Sequence, residues 1–378
     1  MRVLRRPAGE GGGQGPLRYR PAGDVVGRAH VLVDGAPQPG TALTLSHWPG
    51  TPTPLTLQAD LSTESAVLAR RRRALPRGVT EVTTDHPDED ATAAVAVLTA
   101  SELTASRAAL LIEVARIGDF GVVRDRRAAQ VAFALATVLD PVRTPVGDAT
   151  GGARSAPDVT GALVGAGLAV LDDMAADPDR RRELWAPELA AFDAAVAAVA
   201  DGRVLLTEEP ARDLAIVRPG PGGWPPAARW GDDPVHRAAV HTATGCLRVA
   251  TIDEGTTTVR YRYESWVRLA IAPPALRIDL TMLAAELDVL EGGGTVTGAG
   301  GGGAAPGAAT GAGGPSGHLG RWRFDGVGAL TPRLRWDGTG PSSLDPEVVL
   351  ERLRRYLDER AGLPPAWNPY AGAPGAGR

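Results

Sequence analysis

The chain changes texture near its midpoint. Up to residue 200, apolar positions recur three and four residues apart in Ala-, Val- and Leu-rich runs, the period of helices. Beyond Gly202 they alternate with period two over short stretches, the period of strands. In the first part, extended segments at 29–33 and 42–45 each end in a turn, at Asp34-Gly35 and at His47-Trp48-Pro49-Gly50. A helix over 63–74 follows, with Ser62 or Thr63 as its cap. Its terminal run, Arg70 to Arg73, suits the negative end of a helix dipole and reads as a solvated end. A strand is expected at 79–84. Helices at 91–100 and 104–117 are apolar almost all round and should be buried; Gly118-Asp119-Phe120 breaks the second. Another helix covers 127–139, closed by Pro141 and Pro145, and helices resume at 159–173 and 187–200. The latter starts on Pro187 and sets Leu189, Phe192, Val196 and Val199 on one face.

In the second part, strands are expected at 203–206, 213–217, 246–252, 256–269, 320–324 and 331–336. A helix at 280–290 carries Leu280, Leu283, Leu287 and Leu290 on one stripe, with Asp279 as its cap. The last helix opens on Asp345 and Pro346, lines up Val349, Leu350, Leu353, Tyr356 and Leu357, and ends by Gly362. Residues 292–317 are nearly all Gly, Ala, Pro, Thr and Ser and have nothing to bury, so they read as a flexible insertion. Residues 1–16 read as disordered and 363–378 as a loose tail. The fold class is therefore α/β. Residues 17–200 form a domain with a parallel or mixed sheet flanked by helices and carry the candidate site. Residues 201–291 and 318–362 form a second, smaller α+β domain.

Composition adds exclusions. A chain of 378 residues suggests about two domains. It contains no lysine, so its 40 basic residues are all arginine, which rules out Schiff-base chemistry and a phosphate loop built on lysine. The net charge of −4 argues against gripping duplex nucleic acid through the whole surface. Cys246 is the single cysteine, so neither an intrachain disulfide nor a cysteine-rich zinc site can form. No apolar signal core and no membrane-length apolar run is visible, which sets the expectation of a cytoplasmic protein with no membrane partner.

One segment carries sharp chemistry: Asp85-His86-Pro87-Asp88-Glu89-Asp90-Ala91, between a strand and a buried helix. In an extended segment alternate side chains point the same way, so His86, Asp88 and Asp90 would converge. Carboxylates a few ångströms apart repel by about 1 kcal/mol in water and by several times more where water is excluded. No neighbouring arginine in sequence offsets them. A divalent cation would, and oxygen ligands with an imidazole suit Mn²⁺ or Mg²⁺. The plainer alternative is an acidic turn in which Asp90 caps the next helix.

This His-x-Asp-x-Asp spacing resembles the first metal motif of the DHH phosphoesterase superfamily. That resemblance implies that His86, Asp88 and Asp90 bind metal in a two-metal site that activates water against phosphorus. It also implies a phosphate-containing small molecule or a short single-stranded nucleic acid as partner. The superfamily's Asp-His-His and Gly-Gly-Gly-His elements are missing here. Other ligands would have to come from elsewhere, or the site is a degenerate, non-catalytic binding module. His47, just past a strand, is a candidate catalytic helper beside Asp90. Asp119 is a candidate fourth metal ligand, and Asp140 a weaker one. His236 and His241 lack the spacing of a zinc helix and read as structural. From Val259 to Leu269, alternation puts Arg260, Arg262, Glu264, Trp266 and Arg268 on one face. Those arginines form either a phosphate-binding surface or the charge-paired wet face of an ordinary strand. The motifs Ser46-His47-Trp48-Pro49-Gly50, 86–90 and Arg262-Tyr263-Glu264-Ser265-Trp266-Val267 are together similar to an uncharacterised family of actinobacterial proteins of unknown function.

Overall fold

A computed structural model describes residues 15–141, 156–225, 233–271, 277–292 and 320–370. The segments expected to be disordered (1–16) and flexible (292–317) lie almost wholly outside these residues. The described chain forms two compact α/β units. The described residues within 15–189, 268–271 and 370 belong to one, and those within 190–267 and 277–369 to the other. Among the described residues, no helix is long and apolar enough to cross a membrane.

The first unit is built on four strands: β1 (Arg18–Tyr19), β2 (His30–Val33), β3 (Thr41–Leu45) and β4 (Glu81–Thr83). They lie in the order β1-β4-β2-β3, and every pairing is parallel. All residues of β2 and β4 are buried, as a sheet covered on both faces requires. The return from β2 to β3 uses only residues 34–40. Gly40 makes the re-entry possible: its φ is +94°, and a Cβ there would sit 2.3 Å from the Arg28 carbonyl.

Among the described residues, the unit also holds the helices α1 (Ser62–Arg71), α2 (Glu89–Thr99), α3 (Ala105–Phe120), α4 (Arg126–Leu139), α5 (Ala156–Ala176) and the first turns of α6 (Arg182–Ala200). Helix α2 is buried from Glu89 to Leu98 and packs against α1, α3, α4 and α5, in keeping with its all-round apolar sequence. Three details differ from expectation. Gly118 does not end α3; the helix runs to Phe120 and stops at Gly121, which takes the left-handed C-terminal conformation at φ 66°. Arg70 is not a solvated end, because its guanidinium donates to the carbonyls of Val97 and Ala100, each at 2.7 Å, and so satisfies the end of α2. Pro187 lies inside α6, which begins earlier, after a 3₁₀ turn at Pro178–Arg181.

The second unit holds a six-stranded sheet of β5 (Val204–Glu209), β6 (Leu214–Pro219), β7 (Arg248–Asp253), β8 (Thr256–Tyr261), β9 (Trp322–Phe324) and β10 (Arg333–Trp336). The order is β5-β6-β7-β8-β10-β9, antiparallel except for the parallel pair β6 and β7. One face of this sheet meets α8 (Thr281–Glu291) and α9 (Pro346–Glu359). Ile216, Val259, Tyr261 and Leu334 pack there with Leu283, Leu287, Leu350 and Leu353. A short helix, α7 (Arg237–Ala243), is capped by His236. The expected strand through Leu269 stops at Tyr261, and a 3₁₀ turn occupies Tyr263–Ser265. The reason is Arg262: it turns inward, pairs with Glu264 at 2.5 Å and donates to the Thr244 carbonyl at 2.8 Å.

Candidate metal centre

In a parallel sheet all strand C-termini share one edge, and loops there face one another. Asp34 follows β2, His47 lies two residues past β3, and His86 follows β4. Because β2 lies between β4 and β3, Asp34 is central to this edge. Helix α2 brings Asp88 as its N-cap and Asp90 in its first turn, and α3 brings Asp119 in its last turn.

The side chains converge. His86 Nε2 lies 2.8 Å from Asp88 Oδ2 and 3.1 Å from Asp34 Oδ2. His47 Nε2 lies 3.4 Å from Asp119 Oδ2, 3.5 Å from Asp34 Oδ1 and 3.9 Å from Asp90 Oδ2. Two groups of ligand atoms lie within 4.8 Å of one another: Asp34, His86 and Asp88, and Asp34, His47 and Asp90. Adjacent ligands around a hard divalent ion bound at about 2.1 Å stand about 3 Å apart, close to the separations of His86 Nε2 from Asp88 and Asp34 and of His47 Nε2 from Asp119 and Asp34. Asp119 Oδ2 is buried without a hydrogen-bond partner, an atom that a cation would satisfy.

Both imidazoles are oriented through Nδ1. His86 Nδ1 donates to Asp85 Oδ1 at 2.8 Å, and His47 Nδ1 donates to the Asp60 carbonyl at 2.6 Å. Such outer partners fix the ring and direct the other nitrogen to a metal. Asp85 is itself seated on the Gly35 turn, accepting from Ala36 N at 3.1 Å; a Cβ at Gly35 would lie 2.5 Å from its carboxylate. The cluster has a closed and an open end. The side chains of His47 and Asp90 are fully buried, whereas His86 and Asp88 keep 28% and 33% of theirs exposed, with the Trp48 ring 5.0 Å from that of His86.

Asp90 also has a structural task. Its carboxylate accepts from Ser62 N at 2.7 Å and Thr63 N at 2.8 Å, capping α1 from a distant part of the chain. Its own helix is capped by Asp88, which accepts from Ala91 N at 2.8 Å. Ser62 Oγ donates to Asp34 Oδ1 at 2.7 Å and ties the α1 terminus to the central carboxylate.

Without metal, protons balance the charge. Burial opposes charge on His86, but Asp88, Asp34 and Asp85 prevail and hold it protonated far above the usual range. Burial alone would raise Asp34, yet His86, His47 and Ser62 bring its pKa below the ordinary value. Burial, then the charge on Asp34, pushes Asp90 up to about 7, and burial with Asp90 and Asp88 pushes Asp119 well up. A carboxyl raised on folding stabilises the fold below its unfolded pKa of about 4, and this contribution is lost as pH rises through the folded value. Raised His86 acts in the same direction above about pH 6.5. Lowered Asp34 acts oppositely, but only on the acid side of about pH 4. The metal-free protein is therefore expected to lose stability between about pH 4 and pH 8. A divalent cation bound there would displace these protons, so the stability it adds should be larger at about pH 8 than at about pH 6. Urea melts across that range check this; a metal-free stability that rises with pH contradicts it.

The close approach of α3 depends on Gly118. A Cβ there would lie 2.5 Å from Glu89 Cβ. Gly118→Ala should lower stability by about 1–3 kcal/mol through overpacking, less the helix preference of Ala, and should shift Asp119. A denaturant melt as stable as the parent's would show that the contact relaxes freely.

Of the sequence candidates, His47, His86, Asp88, Asp90 and Asp119 come together. Asp140 stands at the C-cap of α4 and belongs to neither ligand group. His236 and His241 lie in the second unit, at α7. Arg260, Arg262 and Arg268 share no strand face. Arg260 pairs with Asp233 at 2.9 Å, Arg262 is buried on Glu264, and buried Arg268 belongs to the first unit and donates to Thr51. Sequence reasoning missed Asp34 and Asp60. Asp34 carried one signal, an acid directly after an apolar strand; Asp60 acts through its backbone carbonyl and carried none.

Comparison with known proteins gives no match among curated proteins or solved structures, and no likeness to DHH phosphoesterases is shown. A family profile does match residues 16–368, nearly the whole chain. The chain belongs to that family, DUF6687, a family of unknown function.

Proposed function

We propose that this chain hydrolyses a phosphoester or phosphoanhydride with the help of Mn²⁺ or Mg²⁺. One ion would be held by Asp34, His86 and Asp88, and a second by Asp34, His47 and Asp90 with Asp119 beside it. The observation that carries this reading is the shared carboxylate: both imidazoles are anchored through Nδ1 and turned through Nε2 onto Asp34. Metal in such a site lowers the pKa of a water and offsets charge on a phosphoryl group. The protein's own part follows from burial. His47, Asp90 and Asp119 form a buried inner wall where charge is felt strongly. His86 and Asp88 face the open end, where substrate would enter.

A non-catalytic binding module is the second reading. It is favoured by Asp90, whose two carboxylate oxygens already serve α1, and by the missing Asp-His-His element. A panel of mononucleotides, dinucleotides, short single-stranded oligonucleotides and pyrophosphate separates the two. The catalytic reading expects slow Mn²⁺-dependent cleavage of at least one of these, lost in His86→Gln, a position that caps no helix. Tight Mn²⁺ binding with every substrate intact selects the binding module.

A further inference from the structure

We propose that Asp60, acting through the strap of residues 268–271, is the positioning residue that fixes the tautomer and direction of His47. The proposed metal reading enters only through the expected effect on affinity.

The His47 ring is anchored through Nδ1, which lies 2.6 Å from the Asp60 carbonyl. A carbonyl can only accept, so Nδ1 carries a proton, and Nε2 is the nitrogen that faces the carboxylates and that a cation would take. That bond is only as good as the placement of the Asp60 peptide. Between His47 and α1 the chain has no strand pairing and one short 3₁₀ turn, Leu55–Leu57, so the peptide must be held from outside. Three contacts hold it. Its N–H donates to Glu64 Oε2 at 3.2 Å, and Glu64 is in turn gripped by Arg116 at 3.0 Å. Its side-chain Oδ1 accepts from Ala270 N at 2.7 Å and from Ile271 N at 3.1 Å.

The strap holds the other end of the loop as well. Arg268 N donates to the His47 carbonyl at 3.0 Å, and its Nη2 donates to Thr51 O at 2.9 Å and Thr51 Oγ1 at 2.8 Å. Tyr370 secures the strap, its hydroxyl accepting from Leu269 N and donating to Leu269 O, each at 3.2 Å. The strap thus meets both His47 and the acceptor that aims it. Buried Arg268 meets neutral acceptors at Thr51, so its contribution there is to hold the loop's shape rather than to offer charge.

Asp60→Ala removes the double acceptor, and Asp60→Asn keeps one oxygen that can receive both strap N–H groups. Heteronuclear NMR of the His47 ring nitrogens in the metal-free full chain, at mildly alkaline pH, reads the tautomer directly. The parent and Asp60→Asn should show the Nδ1–H form, and Asp60→Ala a tautomer average. Asp60→Ser, which can accept one of the two bonds, should fall between them and carries the test if Asp60→Ala does not fold. Mn²⁺ affinity should fall about 10- to 100-fold in Asp60→Ala and recover in Asp60→Asn. An unchanged ring signal in the folded Ala or Ser variant overturns the inference, as does an Nε2–H tautomer in the parent. A locked Nδ1–H tautomer in a parent that binds no Mn²⁺ supports the positioning role and removes the metal reading alone.

Discussion

Asp34→Asn is expected to abolish the response to Mn²⁺ while leaving the chain folded. Asp34 is the one residue common to both ligand groups among the described residues, with Oδ1 toward His47 and Oδ2 toward His86. Asn keeps the shape, and its oxygen can still accept from Ser62 Oγ, so the buried packing survives. What is lost is the negative charge that both proposed metal positions would share. The pKa of His86 should fall as well, because Asp34 is among the groups that raise it. At a metal concentration a hundredfold above Kd, binding stabilises a folded protein by about 2.7 kcal/mol. The parent should show a gain of that order in a thermal melt, and Asp34→Asn none. A retained gain would place the metal elsewhere.

Asp90→Ala should behave in the opposite way and damage the fold before metal is considered. It leaves Ser62 N and Thr63 N buried without their acceptor, at about 1–3 kcal/mol each. Against a total stability of about 5–15 kcal/mol, that is a large fraction. Asp90→Asn should rescue only partly, since its amide nitrogen would face one of the two N–H groups. Denaturant melts of the metal-free variants check this. A loss below about 0.5 kcal/mol in Asp90→Ala would mean that the remote cap of α1 contributes nothing measurable.

Much of the fold was legible because burial and period coincide. Helix α9 reads directly from its Asp345 cap and its stripe of Val349, Leu350, Leu353, Tyr356 and Leu357. Helix α2 reads as buried because it is apolar on every side. The acidic cluster was legible because His86, Asp88 and Asp90 lie within five residues of one another. The alternation used to bring them together was the wrong geometry: the strand ends at Thr83, and Asp90 already lies in the first turn of α2, facing His47. Asp34 was hidden because Asp-Gly reads as a turn, and only the strand order β4-β2-β3 makes it central. Asp119 looked like a helix stop because glycine usually weakens helices, whereas Gly118 is small so that α3 can approach Glu89. The arginine face failed at Arg262, where a buried ion pair overrides the strand period.

Equilibrium dialysis of the full chain against Mn²⁺, with metal content measured by mass spectrometry, tests the central claim most directly. Two ions per chain are expected for the parent at mildly alkaline pH, and none for Asp34→Asn. A folded parent that retains no metal, or an Asp34→Asn variant that retains as much as the parent, would contradict an Asp34-centred metal site.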